Sequence, residues 1–162
     1  MGSIGLTDNL GQWFNRRQID FVIAHELIHV QQKHGSKNQL QTIATFTTMT
    51  LAAFWFRQYM LPFRPLLDLF IILVPLATFY FFSRRYEYEA DQKAIDFTGD
   101  PESGIRALTS LYRHNAAPTR CGRFVEIFQT HPALQRRAEA IGRAEEIPSS
   151  RIIEILREKT LP

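Results

Sequence analysis

The five residues His25-Glu26-Leu27-Ile28-His29 carry the densest chemistry in the chain. Residues four apart share a helical face, so the two imidazoles can offer nitrogens to one ion, a geometry that suits zinc at about 2.0–2.1 Å per Zn–N bond. Glu26 sits one position along, to the side of that face, where a carboxylate can act as general base on water at the metal without displacing it. A catalytic zinc of this kind needs a third protein ligand and an open fourth position. The following residues restrict its source. A metzincin pattern would place Gly at Gln32 and His at Gly35, and the chain has neither, with His34 one residue out of register. His34 then reads as a solvated last-turn histidine favoured by the helix dipole. Further along, in Arg84-Arg-Tyr-Glu-Tyr-Glu-Ala-Asp91, Glu87 and Asp91 share a helical face. Glu87 can bind the ion while Asp91 accepts a hydrogen bond from the far nitrogen of a ligand histidine. Glu89 is the rival ligand, but it lies on the opposite face and four residues before Lys93, the spacing of an exposed ion pair. Taken singly, each cluster also has a bland reading: an apolar helix holding two histidines beside Val22, Ile23 and Ile28, and an ordinary polar face at 87–91.

The elements that must position these groups can be traced from their start and stop signals. Asn15 with Gln18 three positions on is a capping box, opening a helix over about Arg16 to His34 that Gly35 stops. Between the two halves of the site lie nineteen residues without a charge, Asn38 to Phe56, and fifteen more from Leu69 to Ser83. Neither run keeps the polar stripe of a surface helix. A membrane span takes about 20 mostly apolar residues; the first run meets that length, and the second does so if it begins near Pro65 with Asp68 close to an interface. Arg57 to Arg64, with two arginines and Tyr59, is the connection. The sequence therefore predicts a hydrophobic, membrane-crossing helical hairpin at 38–83, against which stands a pair of buried helices in a soluble domain. Lys33, Lys37, Arg84 and Arg85 at its base against Arg57 and Arg64 at its tip favour a cytoplasmic base. Beyond it, a helix over Arg85 to Phe97 closes at Gly99, Asp100-Pro101 caps the next to about Arg113, Pro132 opens another, and Ser149 or Ser150 the last. Weak extended signals fall at Gly5 to Leu10 and Phe124 to Phe128.

Composition bounds the rest. A chain of 162 residues with 45% hydrophobic and 22% charged residues is one globular domain, neither disordered nor fibrous. Nineteen basic against sixteen acidic residues leave a net charge of +3, too mild and too evenly spread for nucleic-acid binding. The single cysteine, Cys121, excludes an internal disulfide and a Cys-built zinc site and reads as a core residue. Asp8, Arg16 and Arg17 interrupt any signal peptide, and Leu6 stands where myristoylation needs Ser or Thr.

HELIH at 25–29, the hydrophobic hairpin, EYEAD at 87–91 and THPALQRR at 130–137 together resemble the HtpX heat-shock peptidases and CAAX prenyl endopeptidases, membrane gluzincins. The resemblance runs from about Ile4 to Ile141. It implies a mainly α, zincin-like metallopeptidase core with little β, a single domain over 1–162, and the hairpin inserted between the halves of the zinc site. It implies His25, His29 and Glu87 as ligands of one catalytic zinc, Glu26 as general base and Asp91 as support for a ligand. It places His131 and Arg137 near the active site as ligand supports or oxyanion donors; by itself His131 would be a surface-loop histidine before a Pro-started helix. A tyrosine such as Tyr88 is a third possible donor. The implied function is zinc-dependent endopeptidase action on membrane or misfolded proteins, in the cytoplasmic membrane with the site facing the cytoplasm. Polypeptide and lipid bilayer would be its partners. That family carries further membrane helices and strands ahead of its HExxH helix, and here about fifteen residues precede it. The substrate-pairing edge strand is then Gly5 to Leu10, or missing from a fragment, or incomplete in a minimal variety. A membrane-anchored adaptor with structural metal, or none, is the non-enzymatic alternative, and a soluble gluzincin with buried hairpin helices a third.

Overall fold

The computed structural model describes residues 14–57, 59, 61–115 and 122–158, and among these every regular element is helical. Helix α1 is Arg16–Gln31, α2 His34–Phe56, α3 Arg64–Thr98, α4 Pro101–His114, α5 Arg123–Glu126, α6 Leu134–Ala144 and α7 Ser149–Arg157, with a 3₁₀ turn at Leu61–Phe63. The mainly α expectation holds. Cys121 and the Gly5 to Leu10 segment lie outside the described residues.

Several boundaries follow their chemical signals. The Asn15 side chain accepts from the Gln18 N–H while the Gln18 side chain accepts from the Asn15 N–H, a complete capping box. Gly99 ends α3 at φ 67°, a conformation glycine adopts without the Cβ penalty. Asp100 then caps α4 through the Ser103 N–H, with Pro101 in the first turn. Other expectations need correction. Gly35 does not stop α1; it lies in the first turn of α2, and the break is made by Lys33 at φ 54°. Phe124 to Phe128 is not extended, since α5 runs through Glu126.

The largest difference concerns α3. The expected hairpin arm and the expected helix from Arg85 form one helix of 35 residues, because nothing between Ser83 and Tyr86 forces the chain to break. Pro65 sits in its first turn, where a missing N–H costs nothing. α2 and α3 pack as a hairpin, tied at the base by Asn38 donating to Ser83 (2.7 Å) and Tyr86 donating to Gln41 (2.9 Å). Among the described residues, α3 is the one helix long and apolar enough to cross a membrane. α2, with threonines at 42, 45, 47, 48 and 50, falls short of that composition although it has the length. Thr42, Thr45, Thr50 and Thr78 donate their hydroxyls to carbonyls four residues earlier, which satisfies them within their own helices. Leu40, Phe54, Trp55, Phe70 and Ile72 of the hairpin face outward.

The base of the hairpin joins a helical core. Phe21 and Ala24 of α1, Ala94 and Ile95 of α3, and Ile105 and Leu108 of α4 are packed with Leu134, Ala138 and Ile141 of α6 and Ile152 and Ile155 of α7. Gly142 lets α6 approach α7, since a Cβ there would run into the Ile152 side chain. Gly142→Ala should therefore destabilise the protein by about 1–3 kcal/mol through overpacking. Gly35→Ala, with nothing within 4 Å of its Cβ, should be neutral or stabilise by up to about 1 kcal/mol. Chemical unfolding of the two variants beside wild type checks both signs.

Candidate metal centre

α1 and α3 cross so that the HELIH face meets the Glu87/Asp91 face. One ligand atom from each of His25, His29 and Glu87 falls within 4.8 Å of the others. His25 Nε2 and His29 Nε2 are 3.2 Å apart, and Glu87 carboxylate oxygens lie 3.4 Å from His29 Nε2 and 3.7 Å from His25 Nε2. A tetrahedral ion with bonds of about 2.0–2.1 Å sets its ligand atoms about 3.3–3.4 Å apart. The triangle is close to that size. Glu87 is buried and brings one carboxylate oxygen to the pair of imidazoles, a donor set of two nitrogens and one oxygen that suits a small divalent ion. The residues present fit one small divalent ion.

Electrostatics favour the metal-binding forms of His29 and Glu87. Burial lowers the His29 pKa to about 4, outweighing the nearby Glu87 carboxylate, and burial also lowers that of His34. Both rings are neutral near pH 7. For Glu87, burial pushes the carboxyl up, but His131 and the Arg137 charge overcome this and hold it below its ordinary range. Burial likewise raises Asp91, and Arg137 more than reverses it.

The second half of the cluster comes from α6. Arg137, buried at its first turn, donates Nε to Asp91 Oδ2 (2.7 Å) and Nη2 to Asp91 Oδ1 (2.5 Å), with Nη1 3.1 Å from Glu87 Oε2. Asp91 Oδ1 also lies 3.1 Å from His25 Nδ1, without hydrogen-bond alignment. His131 Nδ1 is 3.0 Å from Glu87 Oε2. The turn that carries His131 is pinned by Tyr112, whose hydroxyl donates to the Pro132 carbonyl. On its other side Arg84 of α3 donates to the carbonyls of Glu126, Ile127 and Gln129.

His25, Glu26, Glu87, His131 and Arg137 open on a cavity of about 660 Å³ whose remaining walls include Phe21, Tyr80, Leu108, Tyr112 and Phe128. Mostly apolar walls with a few convergent polar groups are usual in a ligand site. Glu26 is exposed to this space. All seven residues singled out from the sequence thus gather in one region. Tyr88 does not line the cavity; Tyr112 does, and sequence reasoning missed it because its four-residue spacing from Leu108 looks like plain apolar packing. Glu89 forms the expected pair with Lys93 at 2.7 Å. His34 corrects an expectation: it is only 2% exposed, stacked on Tyr86 with ring centroids 4.4 Å apart.

The profile of Peptidase family M48 matches residues 1–145. Relatives named Protease HtpX homolog include one from Pyrococcus furiosus, 29% identical over 85% of this chain and 58% of its own length. Others are from Pyrococcus abyssi, 28% identical over 85% and 58%, and Ralstonia pickettii, 26% identical over 83% and 57%. The chain thus spans under three fifths of the length of these curated relatives. No solved structure matches. The chain belongs to peptidase family M48.

Replacing Arg137 by Met would leave Asp91 and Glu87 buried without their countercharge, which for broken buried pairs costs about 3–5 kcal/mol. Urea unfolding of the metal-free variant should show a loss of that order, whereas Arg17→Met, at an exposed pair with Asp100, should change little.

Proposed function

We propose that this member of peptidase family M48 is a zinc-dependent endopeptidase of membrane or misfolded proteins, with residues 1–162 acting as one peptidase domain. The hairpin at 38–83 is its insertion into the cytoplasmic membrane, with the site on the cytoplasmic side. The observation that carries the proposal is the convergence of His25, His29 and Glu87 beside a largely apolar cavity that His25, Glu26 and Glu87 line. The bilayer assignment rests on the apolar stretch of α3, of which only 6% is buried.

His25, His29 and Glu87 would hold the ion, as two neutral imidazoles and one carboxylate suit zinc. When bound, zinc supplies Lewis acidity, lowering the pKa of water and polarising a scissile carbonyl. The protein supplies the rest. Glu26 accepts the proton of the attacking water and returns it to the leaving amine, which requires a carboxylate facing the substrate rather than tied into the core. Arg137 is committed to Asp91 and Glu87, so its work is to fix carboxylates. His131 faces the cavity and is the better oxyanion donor of the two. Asp91 holds the His25 ring from behind. Phe21, Leu108 and Phe128 exclude water and favour an apolar substrate side chain.

Casein cleavage by detergent-purified protein with added zinc tests the assignment. Glu26→Gln should lose at least ~100-fold in turnover while still binding zinc, His25→Ala should lose both, and a chelator should abolish activity that zinc then restores. Cleavage by Glu26→Gln at the wild-type rate would sink the proposal.

A further inference from the structure

We infer that His34 is a positioning residue for this metal centre, setting the tautomer and orientation of His29 from behind; the inference rests on the zinc reading above. His34 Nδ1 lies 3.1 Å from His29 Nδ1, on the side of the ring away from His25 and Glu87. Its own ring is immobilised by stacking on Tyr86 at 12°, and Tyr86 is tied in turn to Gln41. His34 Nε2 lies 3.7 Å from Glu89 Oε2, and Lys93 holds Glu89. In a continuous helix, residues five apart point about 140° away from each other. The left-handed turn at Lys33, between α1 and α2, is what brings His34 back onto His29.

A neutral imidazole has one N–H and one acceptor nitrogen, so a contact between two Nδ1 atoms needs one of each. His29 Nε2 is the nitrogen that faces His25 and Glu87. With its lone pair reserved for an ion, the His29 proton resides on Nδ1 and donates to His34 Nδ1. The His34 proton must then sit on Nε2, toward Glu89. The two ligand histidines are thus supported differently: His25 faces the carboxylate of Asp91, while His29 meets a second imidazole whose Nε2 is buried 3.7 Å from Glu89 without a hydrogen bond. Orienting partners of this kind are worth about 10–100-fold in metal affinity.

The test uses the full chain in detergent. His34→Phe keeps a ring to stack on Tyr86 but removes the acceptor, and should weaken zinc binding about 10–100-fold in competition with a chelator. His34→Gln, which restores an acceptor, should recover most of the loss. Nitrogen-15 spectra of the zinc-loaded wild type should show His34 protonated on Nε2, a readout that decides the matter even if His34→Phe fails to fold. Wild-type affinity in His34→Phe, or His34 protonated on Nδ1, overturns the inference and leaves the peptidase reading standing. Absence of zinc binding by wild type overturns both.

Discussion

Two carboxylates and two imidazoles share the space between α1 and α3, and a guanidinium is buried with them. Arg137 meets Asp91 in a bidentate pair and reaches Glu87 with its remaining nitrogen. Taking such charges out of water costs several kcal/mol per ion. The fork geometry of arginine repays this better than a lysine would, because two parallel hydrogen bonds fix both partners in a plane. The position of α6 is therefore coupled to the site. Leu134, Ala138 and Ile141 hold that helix in the core, and its first turn delivers a countercharge that lowers the pKa of both Glu87 and Asp91.

Seen this way, the molecule assembles its chemistry from three separate stretches of chain, each contributing what the others lack. α1 brings imidazoles and a carboxylate that faces the cavity, α3 the anionic partners, and the turn before α6 with its first residues the His131 imidazole and the Arg137 guanidinium. Apolar packing among α1, α4 and α6 keeps the three in register. The loop from Glu126 to Gln129 is itself held by Arg84, whose guanidinium collects the carbonyls of Glu126, Ile127 and Gln129.

The parts of this arrangement that depend on local spacing were legible in the sequence. Two histidines four apart, two acids four apart, a capping box and an Asp-Pro start each follow from helical geometry alone. What was not legible depends on contacts between distant residues or on unusual backbone. A stop at Lys33 could not be foreseen, because a left-handed lysine carries no local signal and the nearby Gly35 is a more obvious breaker. The burial of His34 follows from that stop and from the Tyr86 ring, which lies some fifty residues away in sequence. The role of Arg137 was suggested by family likeness rather than spacing, since an arginine in a basic helix turn usually faces water. The unbroken α3 was missed because a change from apolar to charged residues at Arg84 looks like an element boundary, although charge alone does not end a helix.

That unbroken α3 has a geometric corollary. Glu87 follows the end of the apolar stretch at Ser83 by four residues, about 6 Å of helical rise. In the proposed membrane setting the helix is a depth gauge: it fixes how far above the lipid surface the reacting groups stand, to within a turn. Bilayer thickness and helix tilt would then enter the choice of bond on an embedded chain, alongside side-chain preference.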